Sequence, residues 1–459
     1  MCGIIGVSNH KEAANIAFLG LYALQHRGEE AAGIASYDGK DIHIVKKPGL
    51  VADAFDEESL KGLKGKAAIG HTRYSTTGSS NYKNIQPFLV THRKRPLAVS
   101  HNGNLTNTET LYEKLEEDGA IFQTSMDSEL IIHLLAKSRN GDMKKWFQEV
   151  LSQLKGAFSL VFLVGDIIVG ARDCQGFRPL CLGKIDDGYI LASESCALDL
   201  IHAEFIREIE PGEIIFIDKN KIESVYLAGR EKEKKAYCIF ENVYFARPDS
   251  NIFGESIYQV RKGLGAQLAK EHPVKADFAM SIPDSGNYAA VGYAQELGLP
   301  LEVGIIRNHY IGRTFIQPSQ FLRDFSVRVK LNPIKSALKG KKIVVIEDSI
   351  VRGTTSRGRV EDLRKAGAKE IHMRISCPPI ISPCFYGIDF PSKKELIAAS
   401  KSVKEIADFI KVDSLEYLSL KGMLSVMTEH GSYCDACYTG NYPVEIPKNT
   451  GKYLLEGAG

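Results

Sequence analysis

The chain is 459 residues long, and several things are scarce in it. No apolar run approaches the length of a bilayer-spanning helix, so no such span is expected. Neither charge sign dominates: 58 Lys and Arg stand against 56 Asp and Glu, a formal net charge of +2. Nothing electrostatic therefore points to nucleic acid or to a membrane surface. The N-terminus, MCGIIGVSNHKEA, lacks a basic stretch and a long apolar core, so it does not read as a secretion signal. Nine cysteines, an odd number scattered along the chain, argue against a secreted disulfide framework. They argue instead for metal or catalytic use in a reducing cytoplasm. There is no internal repeat and no low-complexity segment. What remains, 44% hydrophobic and 25% charged, is an ordinary globular composition, enough for two large domains or three of usual size.

The stretch 343–356, IVVIEDSIVRGTTS, organises the rest. Ile343, Val344, Val345 and Ile346 read as a buried strand that ends in the acidic pair Glu347 and Asp348. A short loop with Gly353, Thr354 and Thr355 leads into a helical pattern over 357–366. Backbone N–H groups of such a loop, at a helix N-terminus, point at a phosphate. The carboxylates before it suit sugar hydroxyls or a hard cation such as Mg²⁺. A ligand carrying both a ribose and phosphates would use both halves. The stretch closely resembles the phosphoribosyl-pyrophosphate (PRPP) loop of the type I phosphoribosyltransferases.

At the other end stands Met1-Cys2-Gly3. A small second residue favours removal of the initiator Met. Cys2 would then carry both a thiol and an α-amine whose unperturbed pKa, about 7.7–8.0, lets it serve as base for its own side chain. Apolar positions at helical spacing run over 11–24 and end at Gln25-His26-Arg27-Gly28. Short strands are expected at 34–37 and 42–45. KAAIGHTRYSTTG (66–78) and PLAVSHNGNLTN (96–107) each read as a strand ending in a polar loop. Helical patterns cover 107–117 and 127–139, and strands return at 158–164, 167–171, 188–192 and 213–217. Many short strands with a helical insert predict a layered α+β domain.

CGIIG, QHRGEEAAGI, GHTRYSTTG, HNGNL and SMDSE, in that order over about 230 residues, resemble the N-terminal-nucleophile glutamine amidotransferases. The resemblance implies that Cys2 attacks the glutamine carboxamide, that Arg73 holds the substrate carboxylate and that Asp127 holds its ammonium. It also implies an oxyanion hole made of the Asn102 side chain and the Gly103 N–H, two fixed donors where negative charge develops. His71 and His101 read as structural, and Arg27 and Gly28 as shaping the turn beside the nucleophile. Glu29, Ala31 and Met126 depart from the residues usual in that family, none of them a catalytic group.

A charged, aperiodic stretch at 228–237 suggests a boundary, dividing the chain into 2–230 and 231–459. Beyond it a helix (254–271), a strand (276–282), a polar PDSG turn, a helix (288–297), a strand (302–306) and a later strand (370–376) alternate, which predicts a parallel sheet. CIFENVYFARPDS, SIPDSG, IGRTFIQPSQ, RVKLNPI and SCPPIISPCFYGID extend the resemblance to the PRPP amidotransferases over nearly the whole chain. The fold implied is a layered αββα N-terminal-nucleophile hydrolase domain followed by an α/β type I phosphoribosyltransferase domain.

By the same resemblance, Ser285, Glu347 and Asp348 form the Mg²⁺ and ribose site. Ser349, Arg352, Gly353, Thr354 and Thr355 cradle the 5-phosphate, and Arg313 serves PRPP from a lid over 307–335. Arg307 and His309 stand where Lys and Arg are usual, and Glu347 where Asp is. The family's cluster-containing members take a 4Fe–4S cluster on cysteines matching Cys238, Cys384, Cys434 and Cys437. From spacing alone, Cys434-x-x-Cys437 suits zinc, redox or iron–sulfur chemistry. Cys377 is an alternative to Cys384; Cys174, Cys181, Cys196 and otherwise Cys377 read as buried small residues.

The activity implied is hydrolysis of glutamine at Cys2 and delivery of ammonia to PRPP, the opening step of purine synthesis. The enzyme would be a cytoplasmic homotetramer or homodimer under purine-nucleotide feedback. A glucosamine-phosphate synthase is disfavoured by the PRPP loop. A non-enzymatic PRPP or purine sensor is disfavoured by the intact Cys2, Arg73 and Asn102-Gly103 set.

Overall fold

The structure, a computed structural model, describes residues 1–75, 81–92, 95–138, 141–308 and 331–446. Its first half is a sandwich of two antiparallel sheets. One has seven strands in the order Glu204–Glu208, Cys181–Ile185, Gly188–Ala192, Gly3–Ser8, Ala67–Arg73, Ala31–Tyr37, Ile42–Pro48. The other has six: Lys221–Tyr226, Glu213–Asp218, Ile167–Arg172, Gly156–Val164, Arg95–Leu105, Phe88–His92.

Alternation along the strands builds the layers. Ile4, Ile69, Val161, Ile168 and Ile215 meet between the two sheets. Their neighbours Ile5, Val7 and Ile34 face the other way, against Ile16 and Leu21 of helix Ala13–Ala23. On the far side Leu160, Phe162 and Val169 pack against Leu130, Ile131 and Phe147, from the helices Asp127–Lys137 and Met143–Leu151. Helix, sheet, sheet, helix is the expected αββα layering, because a side-chain period of two gives each central strand two buried faces. The strand that begins the chain lies at the middle of its sheet, between Gly188–Ala192 and Ala67–Arg73.

The second half holds a parallel sheet in the order Phe278–Ser281, Lys342–Glu347, Glu370–Ile375, Ser414–Tyr417. Helices Ile257–Glu271, Asn287–Leu297, Thr354–Lys365 and Val403–Ile410 are its crossovers and flanks. One expected element behaves differently. The strand anticipated over 302–306 meets the sheet at its start, where the Ala279 N–H donates to the Pro300 carbonyl at 2.8 Å and the Glu302 N–H donates to the Ala279 carbonyl at 3.0 Å around the Ala279–Leu301 bridge. The chain then leaves the sheet, and Ile305–Arg307 pairs antiparallel with Leu331–Pro333. That ribbon closes the base of the segment read as a lid. The body of the lid, including His309, Arg313, Arg323, Arg328 and Lys330, lies outside the described residues.

Candidate active sites on either side of a shared wall

The nucleophile site is built by the strand pairing. Gly3 sits opposite Thr72, and its N–H donates to Thr72 Oγ1 at 3.1 Å. A Cβ at Gly3 would lie 2.7 Å from that oxygen, so only glycine lets the two strands meet here. Cys2 is 8% exposed. Its backbone N–H donates to Asn102 Oδ1 at 3.2 Å, and its thiol lies 3.6 Å from the Tyr74 carbonyl oxygen. Because Oδ1 must face the Cys2 N–H, Asn102 Nδ2 is turned the other way. It is fully buried and has no hydrogen-bond acceptor. A buried, unspent donor beside a nucleophilic sulfur is what an oxyanion requires. Next to it, Gly103 adopts φ +151°, and a Cβ there would fall 2.0 Å from the Ala157 carbonyl oxygen.

Met1 is itself buried at 1% exposure, with its sulfur 2.6 Å from Arg178 Nη1. Burial is the chief reason its terminal ammonium is pulled down to about 5.

Arg73, at the end of strand Ala67–Arg73, is buried with Nη2 at 3.6 Å from Met126 Sδ. It lines a cavity of about 120 Å³ with Glu30, Asn81 and Tyr82. Cys2 does not line that cavity. Asp127, at the start of helix Asp127–Lys137, accepts the Leu105 N–H at 3.0 Å and lies 3.3 Å from His101 Nδ1. Burial pushes its carboxyl up, but His101 and the hydrogen bonds outweigh this and hold it below the usual carboxylate range.

His71 Nε2 faces the His101 carbonyl oxygen at 3.2 Å, so Nε2 carries the proton and Nδ1 is left bare and buried. Burial, then the charge of Arg73, lowers the His71 pKa to about 3. It is a neutral structural histidine at working pH.

Arg27 does more than shape a turn. It is wholly buried, and its Nε donates to the Cys2 carbonyl oxygen at 3.0 Å. Gly28 beside it leaves room for the Arg73 backbone, which a Cβ would meet at 2.5 Å.

The second site opens at the carboxyl end of strand Lys342–Glu347. Ser285, Glu347, Asp348, Ser349, Arg352, Gly353, Thr354 and Thr355 all line one cavity of about 420 Å³. Gly353, at φ +75°, turns the chain into helix Thr354–Lys365, whose first N–H groups open towards the cavity. Ser285 and Ser349 hydroxyls donate to Asp348, and Ser356 Oγ donates to Glu347 Oε2 at 3.1 Å. Burial, then the charge of Asp348, pushes Glu347 up to about 8; burial also raises Asp348. Two adjacent buried carboxylates, raised although Arg359 and Arg261 act on them, are a donor set that a hard cation fits. Arg352, expected to reach phosphate, is half exposed and pairs with Glu395 at 2.9 Å.

Sequence reasoning missed the opposite wall of this cavity: Tyr74, Phe240, Tyr244, Phe245 and residues 388–391. Tyr74 comes from the first half, one residue past Arg73, and its carbonyl is the group the Cys2 thiol faces. The two sites therefore share a wall. The aromatics of CIFENVYFARPDS were the available signal, but nothing in a linear string says which face they turn to.

The four singled-out cysteines come from three segments. Cys238 and Cys434 are register partners of a short parallel pair, and Cys437 follows in the turn Ala436–Thr439. Cys384 lies near enough that its charge, with that of Cys238, raises the Cys434 and Cys437 thiols after burial, the larger cause. All nine cysteines are free thiols. Among the described residues no three His, Cys, Asp or Glu side chains converge as a single metal ion needs.

The four-layer sandwich, with its nucleophile on a central first strand, and the parallel sheet with its acidic pair and helix-capping loop define an N-terminal-nucleophile glutamine amidotransferase joined to a phosphoribosyltransferase. Residues 71–200 match the family described as the glutamine amidotransferase domain. The amidophosphoribosyltransferase of Archaeoglobus fulgidus is 48% identical over 97% of this chain and 99% of its own length. A solved structure described as the allosteric regulatory enzyme of purine biosynthesis superposes with a TM-score of 0.94 at 44% identity, covering 100% of this chain and 99% of the other. The Bacillus subtilis glutamine PRPP amidotransferase, solved with ADP and GMP, gives 0.92 at 44% identity, over 98% and 99%. The chain belongs to the amidophosphoribosyltransferase family.

His71 generates a pH prediction. Its folded pKa lies below the unfolded value, so the unfolded chain binds the extra proton first and stability drops as pH falls from 6.5 towards 3. Between pH 7 and pH 5 this residue alone costs about 2 kcal/mol. Urea unfolding at the two pH values should show a shallower loss for His71→Gln than for wild type. Equal losses would show that His71 is not buried neutral.

Proposed function

We propose that this chain hydrolyses glutamine at Cys2 and passes the ammonia to C1 of PRPP, giving 5-phosphoribosylamine, glutamate and pyrophosphate, the first step of de novo purine synthesis. The observation that carries the reading is the shared wall. A nucleophile with an unspent oxyanion donor lies on one side of Tyr74, and a ribose-phosphate type cavity on the other. The units are divided near 230/231.

With Met1 removed, the Cys2 α-amine takes the thiol proton and Sγ attacks the carboxamide carbon. Negative charge on the carbonyl oxygen is met by Asn102 Nδ2 and the Gly103 N–H. As the tetrahedral adduct collapses, the C–N bond breaks and the ammonium proton goes to the leaving nitrogen. Water then cleaves the thioester to glutamate. Arg73 and Asp127 are the groups for the substrate's carboxylate and ammonium. At the second site the ammonia nitrogen bonds to C1 as the C1–O bond to pyrophosphate breaks. The N–H groups at Gly353–Thr355 hold the 5-phosphate, and Glu347 and Asp348 orient the ribose. Ser285, Glu347 and Asp348 are the residues that would hold Mg²⁺, which when bound offsets the charge of the pyrophosphate. Separating the sites makes glutamine hydrolysis without acceptor wasteful, so hydrolysis should rise when PRPP is present.

Cys238, Cys384, Cys434 and Cys437 would hold a 4Fe–4S cluster that ties three distant segments together. Thiolates on different irons need not converge on one point, whereas four on one zinc, at about 2.3 Å each, must. Purine nucleotides are proposed as feedback ligands, and a homodimer or homotetramer as the working form.

Intact mass of the active protein should show a chain beginning at Cys2; retained Met1 would sink the base assignment. Cys2→Ala should lose PRPP-dependent glutamate release by at least about 10⁴-fold while keeping ammonia-dependent synthesis. Loss of both in a folded variant would contradict separate sites. Anaerobic purification should yield equal iron and sulfide, lost together in Cys434→Ser. Zinc in a colourless active protein would reject the cluster.

A further inference from the structure

One group of charges spans the two halves away from solvent. Arg27, Glu194, Arg178 and Glu241 each have wholly buried side chains. Arg27 Nη2 donates to Glu241 Oε1 at 2.7 Å and Nη1 to Glu241 Oε2 at 3.1 Å, a two-pronged fork. Nη1 also meets Glu194, and Nε is left for the Cys2 carbonyl at 3.0 Å. The Arg27 nitrogens are thus spent on the two carboxylates and on the nucleophile's own backbone. A planar guanidinium held at one edge by two carboxylates has its other edge aimed.

Glu241 is not on a rigid strand. It opens Glu241–Phe245, a single turn of π-helix in which the Ala246 N–H donates to the Glu241 carbonyl at 3.0 Å. Such one-turn bulges recur at functional positions. Arg261 braces the turn from behind, donating to the Asn242 and Ala246 carbonyls at 2.8 Å each. In front, Phe240, Tyr244 and Phe245 form part of the wall of the cavity that contains Glu347, Asp348 and the 352–355 loop. Glu241, which grips the Arg of the first site, therefore directly follows one aromatic of the second cavity's wall, Phe240, and shares its turn with two more, Tyr244 and Phe245.

We infer that Glu241 is a positioning residue for the nucleophile. It fixes the Arg27 guanidinium that holds the Cys2 carbonyl, and because it belongs to the turn walling the PRPP cavity, it makes the placement of Cys2 answer to what fills that cavity. The inference rests on the function proposed above and names the contact through which the second site would regulate the first. Glu194, from the first half, holds the same guanidinium and accepts the Arg247 N–H at 2.8 Å just past the turn, so both carboxylates tie Arg27 to this segment while the residues of Glu241's turn wall the cavity.

The test uses full-length enzyme and Mg²⁺–PRPP. Glutamate release with and without PRPP is measured in wild type, Glu241→Gln and Arg27→Lys, and ammonia-dependent synthesis is measured in each as the check that the second site is folded. Glu241→Gln keeps the shape but loosens the fork. Arg27→Lys keeps a cation between the carboxylates but loses the bond to the Cys2 carbonyl. In both, kcat for PRPP-stimulated hydrolysis should fall about 10- to 100-fold with the glutamine KM within about threefold, and the ratio with to without PRPP should approach one. A merely structural role would lower both activities together and leave that ratio alone. A folded variant that keeps the wild-type ratio overturns the inference. Should neither variant fold, hydrogen exchange on wild type decides: PRPP should add protection in peptides covering 241–246 and 24–30 together, and an unchanged 24–30 overturns it. If wild type releases no glutamate in response to PRPP, the proposed function fails and this falls with it.

Discussion

The constraint on which the rest depends is the burial of four charged side chains between the two halves. Arg27, Arg178, Glu194 and Glu241 lie out of reach of water, and His26 adds a contact to Glu194 at 2.7 Å. Two guanidiniums against two carboxylates leave the set close to neutral. That is the condition under which burying charge is tolerable; removing one partner from such a set typically costs about 3–5 kcal/mol. Because each half contributes members, neither half can satisfy its own charges alone. The two units are obliged to close on one another in one orientation, and that orientation makes Tyr74, whose carbonyl the Cys2 thiol faces, part of the wall of the PRPP-type cavity.

A second tie is a single continuous segment of chain. The segment 384–391 leaves Cys384 and crosses the sandwich: the Phe385 carbonyl accepts from Asn104 Nδ2 at 2.9 Å, and the Tyr386 carbonyl from Arg178 Nε at 3.0 Å. Gly387, at φ +104°, lies against Gly103, where a Cβ would come within 3.1 Å of its carbonyl carbon. Residues 388–391 then line the second cavity. Eight residues thus run from the cysteine group, over the strand that carries Asn102 and Gly103, to the second cavity. Anything that pins Cys384 therefore bears on the backbone of Gly103, whose shape admits no side chain.

The parts legible in the sequence were those governed by short-range rules. A four-residue aliphatic run capped by Glu347-Asp348 and a Gly/Thr loop can hardly be other than a strand feeding a helix N-terminus, and the structure has that element. Central strands of the sandwich were visible through their apolar content. Edge strands such as Glu204–Glu208 and Lys221–Tyr226 were not, because charged residues interrupt their apolar ones, and Phe205, Ile206 and Tyr226 stay exposed instead of marking a buried face. The strand anticipated over 302–306 failed for a related reason. Propensity identifies extended chain but not its partner, and Ile305–Arg307 found one in Leu331–Pro333 rather than in the parallel sheet.

By itself the sequence determined the chemistry available: a cysteine at position 2, an Asn-Gly pair after a strand, an acidic pair before a phosphate-type loop. Motif order and spacing carry that information because each motif is a local turn whose backbone demands particular residues. Only the tertiary structure decided how those groups stand to one another. It spent Asn102 Oδ1 on the Cys2 N–H and left Nδ2 buried without an acceptor, placed Tyr74 in both sites, turned Arg352 to Glu395, and gave Arg27 the grip on Cys2 that a local reading assigned to turn geometry. The physical reason is that contacts between the halves join residues far apart in the chain, Arg27 and Glu241 by 214 positions and Asn104 and Phe385 by 281. Their partners are chosen by the packing of sheets and the need to neutralise buried charge, neither of which has a period along the chain.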